Sequence, residues 1–179
     1  DTKLILLGNN WSENYFNDLV EKKGIANRVL FIKQLPDNFV PVVASYARIG
    51  IVPTIDDGTL STYHSLPNKV FDYIMSNLPI IGTDLPEHTN VIENFNNGLI
   101  LHGNDRQKAS QISDAYFEII KNYDYYKQNA LRCSKLLRTD LEYKKMDKIF
   151  QNWDFHFGKT RRTLIREYLE EKIKNFVTN

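Results

Sequence analysis

The chain reads as an α/β fold: a parallel sheet with helices on both faces, followed by C-terminal helices. Three observations predict it. Short apolar runs alternate with helix-period segments from Lys3 onward, in the order strand, helix, strand, helix, strand. The runs LILL, VLFI and IGIV are apolar at consecutive positions, which suits strands covered on both faces. Beyond Asp105 only the helical period remains.

Taken in order, Lys3 to Leu7 is a buried strand that ends in the turn Gly8-Asn9-Asn10. Ser12 can cap the helix that follows, with Phe16, Leu19 and Val20 at helical spacing and Gly24 as its stop. Val29 to Ile32 is the second strand. A short helix around Phe39 to Ala47 leads into the strand Ile49 to Val52, closed by Pro53, and Thr54 to Ser65 reads as a long polar loop at that strand's C-terminal end. Open α/β sheets bind ligands at that edge. A helix opening near Pro67, a strand from Pro79 to Gly82, a helix from Pro86-Glu87, and a strand Leu99 to Leu101 complete the alternating part, with Asn97-Gly98 as a break. Later helices carry the stripes Ile112, Ala115, Tyr116, Ile119, Ile120; Ala130, Leu131, Leu137; and Met146, Ile149, Phe150, Trp153.

The composition narrows the class. With 179 residues, 42% of them hydrophobic, the chain can bury a full core. No apolar run approaches the eighteen residues of a membrane span. Its first residue, Asp1, leads directly into a strand, and we expect a fragment of a longer protein. A single cysteine, Cys133, excludes an internal disulfide, fits a reducing, cytoplasmic setting and reads as a small helix residue. Net charge is uneven: residues 1–126 hold 10 Lys and Arg against 15 Asp and Glu, a net of −5, whereas residues 127–179 hold 13 against 7, a net of +6. Two domains are expected, 1–153 and an amphipathic C-terminal helix over 154–179. In that helix Leu164, Ile165, Tyr168, Leu169, Ile173 and Phe176 share one side and the other is basic. Such a helix can lie peripherally on an inner membrane or pack on its own protein, the commoner case. Nothing points to nucleic acid.

The stretch Tyr63 to Leu101 is the most informative. In its first helix Val70, Phe71, Ile74, Met75 and Leu78 form an apolar stripe expected to face inward. Lys69, Asp72, Tyr73 and Ser76 form a polar face open to a ligand. The run Leu66-Pro67-Asn68-Lys69-Val70-Phe71-Asp72-Tyr73, followed by Asn77-Leu78-Pro79-Ile80-Ile81 and Thr83-Asp84, resembles the donor-binding segment of retaining glycosyltransferases of the GT-B fold, the group 1 or family 4-like enzymes. The order of elements follows that family from about Lys3 to about Asn152.

The resemblance implies a Rossmann-like domain, the C-terminal half of a GT-B fold, that binds a nucleoside-diphosphate sugar as substrate and uses no cofactor or bound metal. Its partner is an acceptor-binding N-terminal domain of the same protein. Pro67, Asn68 and Lys69 then seat the diphosphate at a helix N-terminus, whose unpaired N–H groups favour anions, and Asp72 accepts hydrogen bonds from ribose hydroxyls. Without the resemblance, Lys69 and Asp72 read as an i, i+3 ion pair on a solvated surface. The family places a second acid eight residues before the ribose acid. Here that position is His64, which leaves His64 or backbone N–H groups near Ser65 and Leu66 to meet the sugar. Leu35 lies where the family's backbone meets the base, and the Gly8 turn lies near the same cleft. The family's Gly-Arg turn and following Lys have no counterpart here, so we expect weak nucleotide binding and no transfer by this chain alone.

Other chemistry has little support. His64, His88, His102 and His156 lack HxxxH spacing and cysteine partners, so no metal site is expected. GxGxxG and GxxxxGK[ST] are absent. Glu87 and His88 receive no catalytic role, Asp84 reads as a turn or cap residue, and no catalytic residue is assigned. A nucleotide-sugar epimerase of the same fold and a non-catalytic scaffold with a membrane- or protein-binding tail remain as alternatives to a glycosyltransferase of polysaccharide or glycoconjugate synthesis.

Overall fold

The structure, a computed structural model, describes residues 2–9, 13–36 and 39–137. The chain divides into two compact units, Asp1–Ser134 and Lys135–Asn179. The expected cap Ser12, the stripe Met146 to Trp153 and the helix over 154–179 lie outside the described residues.

Among the described residues, five strands alternate with helices in the predicted order. Strand β1 (Leu4–Leu7) is followed by α1 (Glu13–Lys22), a 3-10 turn (Ala26–Arg28), β2 (Val29–Ile32), α2 (Val40–Ser45) and β3 (Gly50–Val52). Next come α3 (Leu60–Tyr63), α4 (Asn68–Met75), β4 (Ile80–Thr83), α5 (Pro86–Phe95), β5 (Gly98–Leu101), α6 (Asp105–Lys121) and α7 (Tyr123–Leu136). All pairings are parallel, but the strands form two sheets: β1 with β2, Leu4 opposite Val29, and β3-β4-β5, with Ile80 opposite both Gly50 and Gly98.

The core lies around β4, whose four residues are all buried. Side chains alternate along a strand, and each side of β4 meets a different helix. Ile81 joins Leu101, Ala115, Ile119 and Tyr126, with Ile51 and Leu99 packed against them, so this face is covered by α6 and α7. On the opposite face a Cβ at Gly82 would stand 2.6 Å from Ile92 Cδ1 of α5, and the ring of Tyr73 from α4 occupies the space beside Gly50. Helices therefore cover both faces of the β3-β4-β5 sheet, as the run IGIV predicts, whereas β1, expected to be buried, leaves Leu4, Ile5 and Leu6 exposed because among the described residues it has one strand neighbour.

The central helix is rotated from the expected setting. Val70, Ile74 and Leu78 are buried, but Phe71 and Met75 are 39% and 45% exposed. The inward arc instead takes in two residues of the expected ligand face. Tyr73 reaches the Ile51 carbonyl with its hydroxyl at 3.4 Å, and the Ser76 hydroxyl lies 3.0 Å from the Pro41 carbonyl and 2.7 Å from that of Asp72. With this rotation, Lys69 of the expected polar face is exposed and Asp72 half-buried. The cause is packing on both sides of α4, against β3 and α2; polar tips that find carbonyl partners bury as readily as apolar side chains.

The later elements follow their local signals. Asn96 takes a left-handed conformation (φ 50°) to end α5. A Cβ at Gly98 would collide with the Ile80 carbonyl, so only glycine allows β5 to pair there. Asn104 and Gln107 form a reciprocal capping box at the start of α6. In α7, Ala130 and Cys133 are fully buried, whereas Leu131 is 42% exposed and turned out of its expected stripe. Burial pushes the Cys133 thiol up to about 11, with a smaller opposing pull from Asn97, as befits an inert packing residue.

Candidate functional site

Because β3, β4 and β5 are parallel, their C-terminal ends share one edge, and the segments after Val52, Thr83 and Leu101 emerge together. The segment after β3 is more ordered than the polar loop expected from sequence. Asp56 accepts from the Gly58 amide, and Asp57 accepts from the amide and hydroxyl of Thr59. Thr59 in turn caps the short helix α3 by accepting from the Thr62 amide. The signal for α3 was this Thr cap, but Leu60 is a lone strongly apolar residue there and leaves no readable period.

Helix α3 returns the chain to the entry of α4. Pro67 is the N-cap residue, extended at φ −61° and ψ 144°, and no side chain caps the helix. The first turn, with exposed Asn68 and Lys69, therefore carries the positive end of the helix dipole without a side-chain acceptor. Asp72 stands half-buried one turn further on. His64 is the C-cap of α3, its amide bonded to the Leu60 carbonyl and its ring edge-on to Tyr63 at 5.0 Å between centroids. The amide and hydroxyl of Ser65 both donate to the Thr62 carbonyl. Thus the Ser65 donors hold the turn, and Leu66 and Pro67 follow as a half-buried link.

The other two sequence-predicted positions lie at the ends of the first two strands. Gly8 has φ 134° and its amide donates to the Ile32 carbonyl at 3.0 Å, binding the turn after β1 to the end of β2. Asn9 donates to Gln34 at 2.6 Å, so the Gly8 turn and the segment containing half-buried Leu35 are joined. The candidates thus form two groups, Gly8 with Leu35 and His64 through Asp72.

Two polar clusters escaped the sequence reading. Asp84 Oδ1 lies 2.5 Å from Lys108 Nζ, and Oδ2 accepts from the Gly103 amide at 3.2 Å. Burial alone would raise the Asp84 pKa, but these bonds hold it below the ordinary carboxylate value. With Asp56 they edge an open concavity of about 390 Å³. The second cluster is buried: His88 Nδ1 lies 3.4 Å from the Thr83 hydroxyl, which also lies 2.9 Å from the Thr54 carbonyl. Burial lowers the His88 pKa, opposed by a backbone hydrogen bond at Thr83 and assisted by the Lys69 charge. Neither cluster has a sequence spacing that announces it, since its members come from different strand ends and helices. Among the described residues no helix is long and apolar enough to cross a membrane.

Comparison with known proteins accords with this architecture. Solved structures that share the fold include sucrose-phosphate synthase from Thermosynechococcus elongatus (TM-score 0.66, 16% identity) and WaaG, a glycosyltransferase involved in lipopolysaccharide biosynthesis (TM-score 0.57, 18% identity). The matches cover 84% and 77% of this chain, but only 38% and 34% of those structures. No curated protein sequence matches. The model of the family described as glycosyl transferases group 1 matches residues 1–122. With its parallel sheets and its matching segment over residues 1–122, the chain belongs to the group 1 glycosyl transferases.

Proposed function

We propose that this chain is the donor-binding domain of a glycosyltransferase that moves a sugar from a nucleoside-diphosphate carrier to a hydroxyl acceptor in polysaccharide or glycoconjugate synthesis. The observation that carries the reading is the entry of α4: a first turn without a side-chain cap, Lys69 exposed within it, and Asp72 one turn behind. Departure of the diphosphate from the sugar carbon concentrates negative charge on its oxygens. First-turn N–H groups and the Lys69 ammonium stabilise that charge, and the Asp72 carboxylate accepts from the ribose diol. His64 and Leu66, leading into the same turn, border the sugar, and Gly8 and Leu35 border the base. The acceptor is held by an N-terminal domain of the same protein, which works in the cytoplasm against the inner membrane.

Calorimetric titration with UDP, GDP and ADP tests the reading. One nucleotide is expected to saturate the site, and Asp72→Ala to weaken it by about 1 to 3 kcal/mol, the range for losing a charged hydrogen-bond partner. Unchanged affinity in a variant of normal stability removes Asp72 from the site.

A further inference from the structure

His88 sits at the third position of α5 and is fully buried, and its Nε2 has no hydrogen-bond partner. Buried polar atoms without partners are uncommon and call for a cause. Gly82 lies beneath His88: a Cβ there would stand 3.7 Å from His88 Cβ, an ordinary packing distance.

The proton positions follow from counting donors. The Thr83 hydroxyl has one proton and two neighbours, the Thr54 carbonyl at 2.9 Å and His88 Nδ1 at 3.4 Å. A carbonyl can only accept, so the hydroxyl proton belongs to the shorter contact with Thr54. The Thr83 oxygen then accepts, and Nδ1 carries the hydrogen. Were the proton on Nε2 instead, Nδ1 would compete for the hydroxyl, the Thr54 carbonyl would lose its donor, and a buried N–H would stand unpaired. A bare acceptor at Nε2 is the less costly orphan.

We propose that His88 is a positioning residue: through the Thr83 hydroxyl, its Nδ1–H holds the Thr54 carbonyl and so sets the origin of the segment that leads to α4. Thr54 precedes the Asp56 turn, α3, His64 and the α4 entry, so a shift at Thr54 is carried toward the nucleotide seat. The binding consequence rests on the function proposed above; the hydrogen-bond order does not.

The test separates the two. In the full chain, His88→Asn places an amide N–H near the position of Nδ1, whereas His88→Gln places it near Nε2. Long-range nitrogen–proton spectra of the wild type are expected to show Nδ1 protonated. Amide spectra of residues 54–66 are expected to stay close to wild type in His88→Asn and Thr83→Ser. In His88→Gln and Thr83→Val they shift, with hydrogen exchange in that segment faster by roughly three- to tenfold, the reach of one net hydrogen bond. The affinity for whichever of UDP, GDP or ADP binds should fall in the same two variants. An Nε2-protonated ring, or equal behaviour of the Asn and Gln variants, overturns the proposal. If the His88 variants fail to fold, the Thr83 pair decides by the same segment readout. If no nucleotide binds the wild type, the donor-site reading fails while the spectra still judge His88.

Discussion

Strands β1 and β4, LILL and IIGT, both open on two consecutive apolar residues, yet have opposite surroundings. Every residue of β4 is buried, whereas Leu4, Ile5 and Leu6 are 43%, 38% and 37% exposed. Among the described residues β4 has a strand on each side and a helix on each face, while β1 pairs with β2 alone. An apolar run identifies a strand; the number of neighbours sets its burial.

The sharpest way to break this comparison is to truncate one residue on each side. Ile81→Ala should destabilise the domain by about 2 to 5 kcal/mol, because transfer energy and a residual cavity add. Leu6→Ala should cost about 1 kcal/mol, since little cavity forms at an exposed position. Equal losses in denaturant unfolding would mean that the two sheets are packed alike.

Acid provides a second contrast, of intermediate size. The imidazole in an unfolded chain takes up its proton near the ordinary value of 6.5, but buried His88 resists doing so. The unfolded state therefore binds more protons as pH falls, and the stability from neutral His88 is complete above about pH 6.5 and declines below it. Hydrogen exchange from pH 7.5 to 5, corrected for intrinsic rates, should reveal weakening protection in β4 and α5, and His88→Asn should flatten that trend. A profile unchanged by the substitution would separate His88 from the acid response. The smallest effect is expected at Leu30, 54% exposed on β2. Leu30→Gln should alter stability by no more than about 0.5 kcal/mol, and a loss of core size would show that this face is covered in solution.

Much of the fold was legible. The strand starting at Val29 has its predicted bounds, and the others lie within a residue or two, because consecutive apolar residues between turn formers have few other conformations available. The α4 entry was legible through Leu66-Pro67-Asn68-Lys69, although the helix's rotation was not. Tyr73 and Ser76 look like solvent-facing polar residues by period, and only the carbonyls of Ile51 and Pro41 give them reason to turn inward. The short helix α3 was missed because its stabilisation comes from the Asp57-Thr59-Thr62 bonds rather than from an apolar stripe.

By itself, the sequence determined element order, parallel pairing, the turn glycines at element ends, and the family. Element order and pairing depend on local backbone preferences and hydrophobic period, and the family on the resemblance carried by Leu66 to Tyr73 and Asn77 to Asp84. Tertiary structure alone decided the division into two sheets, the unequal burial of β1 and β4, and the meeting of Thr54, Thr83 and His88 at one edge. Those features arise where strand ends distant in the chain converge, and a hydrogen-bond partner supplied from another element leaves no trace in the spacing of either.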